Sequence, residues 1–477
     1  MPNLRSYLWT ATAGWALTCG LAHAAGKEAL AACTLPDVDR PAKCGVFEVP
    51  ENRQQPNGRK LQIHVAVVSA SSAQPQPDPI VVLMGGPGEE AVIAAGYYAK
   101  QFATLLKDRD LLLIDQRGTG RSNGLRCDLH PKGVDTATVL SDVYPLASVR
   151  ECAQRLSKQA DLTQYTYAHF AEDLEHIRRA LGYGPMNLSS GSYGTRAAQV
   201  FIRTYPDSVR TVFFGSVVPI DIPTPPTFAK STNDVIDKIF AACARDAACR
   251  VAYPNVRQEF TEILAQLDKG VRVTVPGSAQ PVPLARGRVV ERFRSISYRR
   301  DGSGTVPWII HQAHGGNWQP IVDSLMSDVG ARSFDSDVSM GLFFTITCNE
   351  DVPFIDERDV EQAKGTTYLG DYRVRQQRAA CALWPKVTLP AGYRSPVRSA
   401  VPALFVSGDY DPASPLWTTD HAGAGFSNRF RVVMRGYGHT EWNDCVARVN
   451  ERFVMTGSVA GLDRISCDNP LPLKFKT

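Results

Sequence analysis

The sequence predicts an α/β protein: a mostly parallel, doubly wound sheet with a mainly helical segment inserted before its last strands. Three observations predict it. Short apolar runs alternate with stretches of helical periodicity, the rhythm of a parallel sheet covered on both faces. A strand-like run passes straight into a Gly/Ser turn and then into a helix, at residues 186–205. The rhythm stops at a Pro-rich stretch, PIDIPTPP at 219–226, and resumes at about residue 400.

The elements follow in order. Residues 61–70 read as a strand, and a Pro/Gln/Ser surface loop comes after them. Residues 80–84 and 111–114 are short apolar runs that stop at Gly85-Gly86-Pro87-Gly88 and at Asp115, with a helix expected over 90–106 between them. Residues 167–181 carry apolar positions at helical spacing and end at Gly182 and Gly184. A strand at 186–189, a helix at 195–205 and a strand at 211–214 surround the turn at Ser192. Helices at 228–246 and 256–268 belong to the insertion; strands at 403–406 and 430–434 belong to the resumed sheet. The expected organisation is a leader at 1–24, a first core part at 25–219, a cap at 220–395 and a second core part at 396–477.

Composition narrows the function classes. The chain has 477 residues, 44% of them apolar and 21% charged, with a net charge of +4. No basic stripe or acidic block is present, which disfavours nucleic acid as a partner. Arg5, an apolar run over 7–21 and Ala22-His23-Ala24 have the pattern of an export signal cleaved after Ala24. The run is too short and too interrupted for a stable membrane span. Of the 11 cysteines, Cys19 would leave with the leader. The remaining even number fits an oxidising compartment. They fall into near-neighbour couples: Cys33 and Cys44, Cys127 and Cys152, Cys243 and Cys249, Cys348 and Cys381, Cys445 and Cys467. Adjacency alone leaves the connectivity open. Their spacings do not suit zinc, and His311 with His314 lacks a third ligand, so neither a metal nor a cofactor is expected.

The chemistry centres on Ser190-Gly191-Ser192-Tyr193-Gly194. A G-x-S-x-G elbow exposes a serine on a sharp strand-to-helix turn of the α/β-hydrolase fold. Here the first position is Ser190, still a small residue. A serine hydroxyl needs a base, and in this fold the chain order is serine, acid, histidine. Asp411 in SGDYDP and His439 in GYGHT follow in that order, each just past a predicted strand, where sites of open α/β sheets form. Asp409 reads as structural, and His169 and His176 as residues of a helix. Backbone N–H groups of Gly86 and Tyr193 are the candidate oxyanion donors, and one such donor is worth about 3–4 kcal/mol in the transition state.

Four stretches together resemble the prolyl and tripeptidyl aminopeptidases of the α/β-hydrolase fold: MGGPG at 84–88, DQRGTGRS at 115–122, SGSYGTR at 190–196, and GDYDP with GYGHT near the C-terminus. DLEHIRRALGYG and YPDSVRTV are also similar, and Cys445 to Cys467 resembles the tail of the tripeptidyl branch. The chain departs from the family at Met84, where His is usual, and at Gly215-Ser216, where Asp-Gly is frequent. The resemblance implies Ser192 as nucleophile, His439 as base and Asp411 as its orienter. It implies that Asp115 and Arg117 organise the loop behind the oxyanion hole. The implied activity is an exported serine exopeptidase acting on peptides with a free N-terminus; a carboxylic-ester hydrolase on the same scaffold is the alternative. An aminopeptidase must hold the substrate ammonium, and the candidate carboxylates are Glu89, Glu90 and Glu350, the last beside Asp351 in the expected cap.

Overall fold

The structure is a computed structural model that describes residues 30–275, 278, 280–329, 338–467 and 470–477. The leader expected over 1–24 lies outside the described residues.

The strands are β1 (Ala31–Cys33), β2 (Ala42–Pro50), β3 (Lys60–Val68), β4 (Ile80–Leu83), β5 (Leu111–Ile114), β6 (Met186–Gly191), β7 (Val209–Gly215), β8 (Arg272–Val273), β9 (Val282–Pro283), β10 (Ala403–Gly408) and β11 (Arg429–Met434). Among the described residues the main sheet runs β1-β2-β3-β5-β4-β6-β7-β10-β11. From β5 to β11 every pairing is parallel, and β1, β2 and β3 add an antiparallel edge. The parallel strands β4 and β5 are buried at every position, as strands covered on both faces must be. β8 and β9 form a separate two-stranded ribbon within the insertion.

The helix after the elbow spans Gly194–Thr204 and crosses close to the end of β4. A Cβ at Gly194 would lie 2.1 Å from the Leu83 carbonyl oxygen, so only glycine fits this crossing. The region expected as one helix over 90–106 is broken into a 3-10 turn at Val92–Ala94, a helix at Ala95–Gln101 and a second turn at Leu105–Lys107. Phe102, Leu105 and Leu106 all reach the core, at the i, i+3, i+4 spacing that places them on one side of the segment. The strand β2, paired with the short edge strand β1 and with β3, is absent from the sequence-based expectation because its residues do not alternate cleanly; it is half-exposed.

Between β7 and β10 the chain is mainly helical. Most of these helices share their own apolar cluster, built on Phe240, Phe260 and Phe293. Met340–Glu350 departs from the expected cap over 220–395. Every residue of this helix is buried, and Phe343, Phe344, Ile346 and Cys348 join the same cluster as Phe201 and Phe214 of the sheet domain. Its mostly apolar residues show no separate charged face, and its Thr345, Thr347, Asn349 and Glu350 are buried with them, so the helix seats in the core rather than over it. All five cysteine couples are bonded: Cys33–Cys44, Cys127–Cys152, Cys243–Cys249, Cys348–Cys381 and Cys445–Cys467. By chain entropy each is worth about 2–4 kcal/mol.

Candidate active site

Ser192 sits at the tip of β6 with φ at +50°, a left-handed conformation rare for a side chain larger than glycine's. Its N–H donates to the Gly215 carbonyl (2.9 Å), and its own carbonyl accepts from Thr195 Oγ1 (2.5 Å) and the Thr195 N–H (3.0 Å). The turn is thus held from both sides while Oγ is left to the cavity. Ser190, where the motif usually has glycine, is accommodated because its buried hydroxyl donates to the Phe213 carbonyl (2.7 Å).

Asp411 follows β10 and is fully buried; His439 follows β11 and is 8% exposed. His439 Nδ1 lies 2.8 and 3.0 Å from the two Asp411 oxygens. The N–H groups of Ala413 (2.8 Å) and Ser414 (2.9 Å) also donate to Asp411. Burial alone would raise the Asp411 carboxyl, but His439 and these donors outweigh it and hold it below the usual carboxylate range. Asp411 therefore stays ionised and fixes the imidazole with Nδ1 inward. Among the described residues the ring hydrogen bonds of His439 all use Nδ1. Asp409 instead accepts from the Gly436 N–H (2.7 Å) and pins the loop beyond β11.

Three contacts that the sequence did not reveal hold the histidine loop. The His439 N–H donates to the carbonyl of Tyr298, a residue of the insertion (2.8 Å). The Tyr298 ring lies 4.9 Å from the imidazole. The Thr440 N–H donates to Ser216 Oγ (2.9 Å), which ties this loop to the end of β7 and gives a structural use to the serine of Gly215-Ser216. Only Ser216, as a departure from a family pattern, carried a signal in advance.

Gly85 borders Ser192, and Gly86 follows it into the cavity. A Cβ at Gly85 would lie 3.1 Å from Ser192 Cβ, so the loop passes against the serine. Gly86 (φ +103°) and Tyr193 both line the cavity, and among the described residues neither backbone N–H donates to a protein acceptor. Asp115 sets this loop: it accepts from the N–H groups of Ala91 (3.1 Å) and Val92 (3.0 Å). Arg117, fully buried, grips Asp173 through two N–H groups (2.6 and 2.8 Å) and anchors the other end of the same turn. The Tyr193 hydroxyl donates to Asp351 (2.9 Å), which also pairs with Arg196 (2.9 Å).

Ser192, His439, Gly86 and Tyr193 line one cavity of about 760 Å³. Of the three carboxylates considered for a substrate ammonium, only Glu89 lines it. Glu89 accepts from the Gly85 N–H (3.2 Å), and Gly85 in turn lies against Ser192. Glu90 forms an ion pair with Arg126. Glu350 differs from the expectation: it is 1% exposed, does not line the cavity, and accepts from the Tyr167 N–H (3.4 Å) inside the core. Burial pushes its carboxyl up to about 7, against the lowering effect of Arg196. Its helix is buried along its whole length, and Glu350 at its end is buried with it. Among the described residues no group of acidic, His and Cys side chains is arranged to hold a metal ion.

A sequence model of the alpha/beta hydrolase fold matches residues 78–440. The serine protease Hip1 of Mycobacterium tuberculosis is 24% identical over 470 aligned residues, covering 87% of this chain and 86% of that protein. The tripeptidyl aminopeptidase of Streptomyces coelicolor is 22% identical over 403 residues, covering 80% of this chain and 74% of that protein. Among solved structures, the proline iminopeptidase of Mycobacterium smegmatis aligns with a TM-score of 0.39 at 16% identity, covering 87% of this chain and 99% of that one. With its parallel sheet, its serine elbow and a family match across most of its length, the chain belongs to the α/β-hydrolase fold family and is a hydrolase.

Proposed function

We propose that the chain is an exported serine exopeptidase that cleaves amide bonds near free peptide N-termini. The observation that carries this reading is the meeting of Ser192, at positive φ, with an Asp411-oriented His439 in one cavity that Glu89 also lines. The names of the relatives, a serine protease and a tripeptidyl aminopeptidase, support the peptide as substrate.

In this mechanism Ser192 Oγ attacks the scissile carbonyl while His439 Nε2 takes its proton. Asp411 stabilises the imidazolium. The N–H groups of Gly86 and Tyr193 receive the oxyanion, each contributing about 3–4 kcal/mol. His439 then protonates the leaving amine, and water hydrolyses the acyl-enzyme by the same route in reverse. Glu89, beside the nucleophile, holds the substrate ammonium by a charge-assisted hydrogen bond. The helical residues of 220–395 that face the sheet edge act as the cap. The five disulfides support export to an oxidising compartment, with residues 1–24 as the leader.

The test is a panel of chromogenic aminoacyl, dipeptidyl and tripeptidyl amides, their N-acetylated forms and short acyl esters, run with Ser192→Ala as control. The expected result is turnover of the free amides, lost on acetylation and in the variant. Turnover of esters alone would replace this reading with that of a carboxylic-ester hydrolase.

A further inference from the structure

The cavity has a second wall, distant in sequence from the elbow. Arg288, Glu291, Arg292, Arg294, Asp328 and Arg373 all line it. Glu291 accepts from Arg294 Nε (3.1 Å) and Nη2 (2.6 Å) and from Arg373 Nη1 (2.5 Å). Arg288 Nη2 (2.6 Å) and Arg292 Nη2 (2.9 Å) donate to Asp328. Four guanidiniums thus face two carboxylates. Arg288, Arg294 and Arg373 are 4%, 5% and 9% exposed, so solvent does little to screen the surplus. Buried charge without a counter-charge is costly, and a cavity wall is where a ligand can supply one. Arg373 Nε is buried and, among the described residues, has no hydrogen-bond partner.

The rest of the surroundings hold these side chains rigid. The Arg294 and Arg373 guanidinium carbons lie 4.3 and 5.2 Å from the Phe228 ring centre. Arg373 Nη2 donates to the Tyr144 hydroxyl (2.6 Å). Stacked, pre-oriented guanidiniums are the usual receptors of planar carboxylates. Glu291 does not vacate its place by taking a proton. Burial would raise its carboxyl, but Arg294, Arg373 and Arg288 hold it below its ordinary value.

The wall has a definite position relative to the chemistry. Arg294 Nη1 donates to the Tyr298 hydroxyl (2.5 Å), and the Tyr298 ring lies against His439. One side chain therefore separates the wall from the base that protonates the leaving amine. Glu89 stands instead beside Gly85 and the nucleophile.

We infer that the Arg288–Arg292–Arg294–Arg373 wall is a receptor for a carboxylate carried on the leaving-group half of the substrate. The preferred substrates are then short peptides with a negative charge beyond the scissile bond. This rests on the exopeptidase reading for the words "leaving-group half", but not for the receptor itself. The carboxylate has two possible sources, the peptide's own C-terminus or an acidic side chain.

Calorimetric titration of the Ser192→Ala protein separates them without turnover. The ligands are short oligo-alanines as free acids and as C-terminal amides, and the amides with Glu or Gln replacing each alanine in turn. Tighter binding of the acids than of the amides, by about tenfold to a hundredfold for one charge-assisted contact, assigns the C-terminal carboxylate. Preference for Glu over Gln within the amides assigns a side chain. Adding Arg373→Gln should bring the ratio close to unity, and Arg373→Lys should retain part of it. If Arg373→Gln does not fold, the ratio in Ser192→Ala and its decline with added salt carry the test. Equal binding of acids, amides, Glu and Gln peptides overturns the receptor and leaves the wall a structural brace. Turnover of esters but no peptides by the wild type would sink the exopeptidase reading, while the binding ratios would still decide the receptor.

Discussion

The two walls of the cavity are built by different means. The wall holding Ser192, Asp411 and His439 is made of strand ends and the turns that leave them, so backbone geometry places each group. Ser192 is forced to a positive φ, Gly194 admits no Cβ, and Asp411 is clasped by N–H groups two and three residues on. The opposite wall is made of long side chains from helices, paired across 82 residues of sequence in the Arg373–Glu291 contact. The first kind of wall tolerates no variation in a few positions. The second holds its groups by side-chain pairing and stacking, so its geometry depends on partners far apart in sequence rather than on the turn of a strand.

Substitutions can break or sharpen this contrast. The largest expected effect is that of Asp411→Asn, which leaves the fold intact but favours the wrong imidazole tautomer. It should lower kcat by about 10⁴-fold with KM little changed; a loss of only a few fold would mean that Asp411 is not the orienter. Gly194→Ala comes next. With the Leu83 carbonyl oxygen 2.1 Å from the new Cβ, the helix must shift, and we expect a cost of about 2–4 kcal/mol by denaturant unfolding and a misplaced elbow.

Glu350→Gln tests the buried acid behind the site by its pH dependence. Its folded carboxyl titrates at about 7, above the value in an unfolded chain. The folded state therefore binds the extra proton between the two values, and stability falls as pH rises through that window. The variant should remove this decline and be more stable than the wild type above pH 7, by about 2–3 kcal/mol at most. A parallel decline in both proteins would show that another group titrates there. The smallest effect belongs to Ser190→Gly, which restores the usual first position of the elbow. Losing one buried hydroxyl-to-carbonyl hydrogen bond should cost about 1 kcal/mol in unfolding experiments and leave kcat within a few fold.

The same contrast explains what could be read from the chain. β4, β5 and β10 were legible because a strand buried on both faces is an apolar run with a turn at its end; β6, β7 and β11 were legible from the shorter apolar stretches inside them, β11 lying partly exposed at the sheet edge. The elbow, the GGPG loop and the order of acid and histidine were legible because each is a local pattern. The burial of Glu350 was not legible because it depends on which way its helix faces, and a helix whose apolar residues do not gather on one side gives no direction. The arginine wall was invisible for a related reason. Arg288, Arg292 and Arg294 look like an ordinary solvated helix until Glu291, Asp328 and Arg373 are known to surround one cavity.

The hydrogen bond from the His439 N–H to the Tyr298 carbonyl crosses from the sheet domain to the insertion. Any motion that lifts the segment bearing Tyr298 takes away an anchor of the base. In the proposed mechanism the serine therefore has its base in place only while the insertion keeps this contact with the sheet domain.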